Sequence, residues 1–155
     1  MALAPDRAFA ALFNDPAATR LLATSDEDGT PRVVAAESLH VDDAGRLVLL
    51  EQSEHSQTNR NLVRAIWFGR RVAATVRTAD GRSFRVAGRP VRAIVAGPLF
   101  ERHYRELRAR RGDVDLSTVW MIEPDAVEEE GRAGAGEAEP GRIPLVHLDR
   151  IARTP

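Results

Sequence analysis

The chain has 155 residues, 43% of them hydrophobic and 29% charged, with a formal net charge of −1. That length suits one domain with a real core, and the charge balance sets up no global positive field for a nucleic acid or an anionic membrane. All 22 basic residues are arginine and cysteine is absent, which excludes Schiff-base lysine chemistry, disulfides, thiolate catalysis and cysteine-ligated metal. No apolar run reaches membrane-spanning length and no signal-peptide pattern opens the chain, so a cytoplasmic protein is expected.

Asp6 can cap a short first helix on which Phe9, Leu12 and Phe13 share a face, and Asp15-Pro16 ends it. Residues 20–25 (RLLATS) read as a strand, and DEDGTPR after them as a turn with Asp28-Gly29 at its tip. A second strand is expected over residues 32–39, which places Glu37 inside a strand, facing solvent or a barrel mouth, or paired. The turn VDDAG, residues 41–45, leads to Leu47, Val48, Leu49 and Leu50, a continuous apolar run typical of a strand buried on both faces.

Residues 51–56 form a polar connection without Pro or Gly, and a helix follows. Leu62, Val63, Ile66 and Trp67 recur at helical spacing, so they are expected on one side, with Ser56 or Thr58 as the N-cap. A buried strand feeding a helix N-terminus can hold an anion on its free amides, and Ser56, Gln57, Thr58 and Asn61 add neutral donors. It can equally be a capped connection whose polar residues face water.

Further strands are expected over residues 71–77 and 83–95, joined by TADGR, with Pro90 bending the second or placing it on an edge. Gly97-Pro98 opens another helix carrying Leu99, Phe100, His103, Tyr104 and Leu107 on one face. Its opposite face is arginine-rich, and Glu101 and Glu106 stand four residues before Arg105 and Arg110, the spacing of solvent-exposed ion pairs. Residues 117–123 read as a strand closed by Pro124, residues 128–142 as a flexible acidic loop, and residues 143–151 (IPLVHLDRI) as a returning strand. Short strands joined by hairpins, with few helices, make a mainly β protein with α excursions: an antiparallel barrel, read as a single domain over residues 1–155.

The four histidines show no metal-ligand spacing, so no metal site is expected. His103 fits the core, and His55, in the polar connection, is the one placed near a ligand. No serine-hydrolase signature, Walker loop or GxGxxG occurs, and no catalytic residue is assigned. Trp67 and Trp120 fit core positions better than a stacking role.

LLATSDEDGTPRVV, LVLLEQSEHSQTNRNLVRA, RVAATV, FRVAGRPVR and VWMIEPDAVE together resemble the FMN-binding split-barrel superfamily, which includes pyridoxamine 5′-phosphate oxidase-like proteins and small FMN-binding proteins. The resemblance covers residues 21–127 and implies an antiparallel, Greek-key split barrel. It implies FMN held at a homodimer interface, with its phosphate at the turn of Ser56, Gln57, Thr58 and Asn61, next to His55. Glu37 and Ser38 would stand on the neighbouring strand. Thr58 and Asn61 match the family turn, while Gln57 stands where the family has lysine. Arg60 or an arginine of the second copy would then compensate. The activity implied is a flavin-dependent oxidoreductase or flavin reductase, with His147 near the ring. A split barrel that has lost tight flavin binding and holds another ligand or a partner is the alternative.

Overall fold

The computed structural model describes residues 7–130. The expected returning strand with His147, and residues 131–142 of the expected loop, lie outside the described residues. In chain order the elements are α1 (Arg7–Phe13), β1 (Thr19–Ser25), β2 (Pro31–Ala35), β3 (His40–Val41), β4 (Leu47–Glu51) and α2 (Gln57–Phe68). They continue with β5 (Val72–Arg77), β6 (Ser83–Ile94), α3 (Pro98–Arg111) and β7 (Thr118–Glu130). The seven strands form one antiparallel sheet in the order β2-β1-β5-β6-β7-β4-β3, curled into a split barrel. The short hairpins β1–β2, β3–β4 and β5–β6 are local, whereas the helical excursions let β4 and β6 both pair with β7.

The apolar run of β4 is explained by two separate cores. Leu47 and Leu49 point into the barrel with Leu22, Val76, Val86, Trp120 and Ile122, and α1 closes that space with Phe9 and Phe13. Val48 and Leu50 point outward and are covered by Leu107 of α3, together with Leu116 and Val119. A strand sandwiched this way has no solvent face on which to place a polar residue.

Four expectations are corrected. The second strand stops at Ala35 rather than Leu39, because the Ala36 amide bonds Arg20 O and the Leu39 amide bonds Ala36 O, turning the chain toward β3. Glu37 is therefore on an exposed turn, where its carboxylate takes Arg111 Nη2 at 2.7 Å. The last described strand does not close at Pro124. Pro124 sits opposite Gly88 at a register shift, where the ladder tolerates a residue without an N–H, and the strand runs on to Glu130. Glu128, Glu129 and Glu130, expected in a loop, pair with Arg85 of β6 and with Arg82 just before it. Pro90 likewise marks a second register shift, so it bends β6 at a bulge.

The fourth correction concerns α2. Its inward stripe is Thr58, Asn61, Leu62 and Ala65, whereas Val63, Ile66, Trp67 and Phe68 are exposed, Trp67 by 79%. Trp67 is thus not a core residue, while Trp120 is, at 1% exposure. On α3 the expected face holds: His103 and Leu107 are buried, and Glu101 meets Arg105 at 3.8 Å. Arg110 donates instead to the Glu106 backbone carbonyl at 3.4 Å.

Candidate functional site

The polar connection after β4 delivers the chain to α2 through Ser56, whose extended backbone (φ −64°, ψ 148°) and side chain make it the N-cap. Ser56 Oγ accepts from the Asn59 amide at 2.9 Å, and the Arg60 amide bonds Ser56 O. The amides of Gln57 and Thr58 meet no acceptor among the described residues, and the first turn contains no carboxylate. Two free N–H groups at the positive end of a twelve-residue helix favour an anion.

A relay of side chains fixes this turn to the barrel. Arg60 Nη2 donates to Gln57 Oε1 at 3.0 Å, Gln57 Nε2 to Asn61 Oδ1 at 2.8 Å, and Asn61 Nδ2 to Thr24 Oγ1 at 2.9 Å. Asn59 Oδ1 accepts from the indole of Trp120 at 2.9 Å. Asn61 is 1% exposed and Thr58 8%, so both side chains face the barrel, and both ends of the Asn61 amide are engaged. Arg60 is exposed, and Gln57 holds its guanidinium beside the first turn, so a cation stands next to the position where the related pattern has lysine.

The remaining expected residues divide. His55 is 87% exposed and rests against Glu54 at 3.2 Å, outside the relay. Ser38 Oγ donates to Leu50 O and accepts from Leu50 N, both at 3.0 Å, taking the place of a strand partner on the free side of β4. Glu37 and Ser38 line a cleft of about 780 Å³ between α3, the segment joining β2 to β3, and the loop entering β1. None of the residues from Ser56 to Asn61 borders that cleft, so the expected residues fall into two groups, one at each end of the Leu50–Ser56 stretch.

Sequence reasoning missed Thr24, which anchors Asn61, and Arg20, which lines the cleft. Both lie on β1 at the parity of Leu22, the inward face, so alternation along RLLATS carried the signal. His103 is buried beside His40 with ring centroids 5.8 Å apart, and burial, then the neighbouring His40, lowers its pKa, against the opposing pull of Glu106. Among the described residues no helix is long and apolar enough to cross a membrane, and no three potential metal-ligating side chains converge.

No family model matches the chain, and no curated protein matches it. Several solved structures do. HupZ from Group A Streptococcus is 17% identical over 84% of this chain and 100% of its own, with a TM-score of 0.67. An FMN-binding protein from Syntrophomonas wolfei is 14% identical over 79% and 83%, also at 0.67. A candidate pyridoxamine 5′-phosphate oxidase from Lactobacillus delbrueckii is 21% identical over 82% and 93%, at 0.61. Identities this low speak for the fold alone, and that fold is a split barrel.

Proposed function

We propose that the chain binds FMN as a homodimer, with the phosphate at the start of α2, and works as a flavin-dependent oxidoreductase or flavin reductase. The observation that carries this reading is the α2 turn: two amides without acceptors, no carboxylate, and Arg60 held beside them by Gln57. These residues fit a phosphate group. Ser56 shapes the turn, the Gln57 and Thr58 amides donate, and Arg60 supplies the charge. Bound flavin would supply the redox chemistry; the chain's residues orient it and set its electrostatic surroundings. Exposed apolar residues, Val33 on β2, Val91 on β6 and Val95 just after it, suit burial by a second copy rather than by this chain. The similarity of the fold to an FMN-binding protein supports the same ligand class.

The burial of Thr58 and Asn61 favours a second reading, a binding module without tight flavin affinity, because their side chains serve the barrel. Titrating FMN by flavin fluorescence into wild type, Arg60→Gln and Thr58→Ala separates the two. Saturable binding is expected, weakened about tenfold by Arg60→Gln, the scale of a lost charge-assisted bond. Thr58→Ala, which keeps the donating backbone amide and changes only a buried side chain, should leave the affinity close to that of wild type. Absence of binding at micromolar FMN would put the binding module in front.

A further inference from the structure

We infer that the cleft beneath α3 is a second binding site, for a small organic anion carrying a carboxylate or phosphate group. Its volume, about 780 Å³, is that of a small-molecule site. Three arginines and two glutamates line it, Arg20, Arg110, Arg111, Glu37 and Glu106, so its wall carries one excess positive charge. Glu37 is taken up by Arg111 at 2.7 Å, and among the described residues Arg20 and Arg110 form no ion pair with a carboxylate.

Arg20 is the centre of the site. Its Nη1 is anchored on two carbonyls, Phe13 O at 3.0 Å and Leu39 O at 3.4 Å, which fix the plane of the guanidinium. Its Nε–H is buried and unmatched, and its Nη2 has no partner among the described residues without being sealed from solvent. A half-buried cation held rigid, under-satisfied and without a counter-ion is a preorganised receptor for an oxyanion. Arg110, on α3, faces the same cavity with no carboxylate of its own.

His40 also borders the cleft. Its Nδ1 lies 2.8 Å from Ser38 O, and a carbonyl only accepts, so Nδ1 carries a proton there. The inference does not depend on flavin at α2, since no residue of the Ser56–Asn61 turn borders the cleft.

The test is a titration of the full chain with inorganic phosphate, and separately with succinate, at constant ionic strength, followed by the arginine Nε resonances in nitrogen-15 NMR. Saturable shifts at Arg20 and Arg110 are expected, persisting with FMN present. Arg110→Gln on the exposed helix and Arg20→Lys should each weaken binding roughly tenfold or more. Arg105→Gln, a residue paired with Glu101 and outside the cleft, should leave it unchanged. Saturation by phosphate alone assigns a phosphate ester, and by succinate alone a carboxylate. Failure of both probes to saturate, unchanged affinity in Arg110→Gln, or displacement by FMN overturns the inference. Loss of FMN binding with the cleft shifts intact sinks only the flavin reading.

Discussion

The residues that organise this molecule are polar groups in apolar places. Asn61, 1% exposed on the inward stripe of α2, is tolerated because Thr24 and Gln57 satisfy its amide. Replacing it by Leu leaves the Thr24 hydroxyl without its donor inside the barrel. A loss of about 1–3 kcal/mol is expected in urea unfolding. His103 makes a complementary case. Its folded pKa lies below the ordinary 6.5, first through burial and then through His40 on β3, with Arg102 and Arg110 adding to the effect and Glu106 opposing it. An unfolded chain therefore binds the proton before the folded one does. Its contribution to stability is complete above 6.5 and is lost as pH falls through the window just beneath. Unfolding followed between about pH 7.5 and 5 should show that slope in wild type and a flatter one in His103→Gln. Equal slopes would remove His103 as its source. The Asn61–Thr24 bond is not announced in sequence, since Thr24 lies 37 positions from Asn61.

At the scale of elements, the strands were legible wherever alternation and turn chemistry agreed, as in β1 with its Asp28-Gly29 tip and β4 with its doubly buried run. The misreadings share one cause: tertiary contacts override a local pattern. The helix α2 offers Leu62, Val63, Ile66 and Trp67 as its apolar face, yet the bonded pair Asn61–Thr24 rotates the polar stripe inward and leaves Trp67 in water. Pro124, a stop signal on its own, is harmless in β7 because it meets Gly88 at a register shift. That crossing is tight. A Cβ on Gly88 would lie 2.7 Å from Glu123 O and 3.0 Å from Ile122 Cγ2. Gly88→Ala should cost roughly 1–3 kcal/mol, as overpacking does, because backbone has to move. A neutral result in thermal unfolding would show that the β6–β7 crossing is looser than its geometry. Ser56→Ala, which strips the cap from α2, should cost about 1 kcal/mol by the same measurement.

For the whole molecule, the barrel follows from where apolar surface can go, and α2 is where that logic leaves a remainder. Trp120 is enclosed in the wall, its indole N–H held by Asn59, whereas Trp67 stands 79% exposed beside Phe68, Ile66 and Val63 on a single helix. A cluster of this kind is uncommon on an isolated monomer. The two tryptophans make the contrast measurable, since acrylamide reaches an indole only where solvent does. In dilute protein, quenching of the emission should be biphasic, and Trp67→Phe should abolish the accessible component while leaving Trp120 resistant. Stability should barely change, because the replaced ring packs against little. Equal quenching of both indoles would mean that the wall formed by β4 and β7 opens. A Trp67 that resists the quencher in wild type would place a second surface over α2, and sedimentation of the same sample would show whether that surface belongs to another copy of the chain.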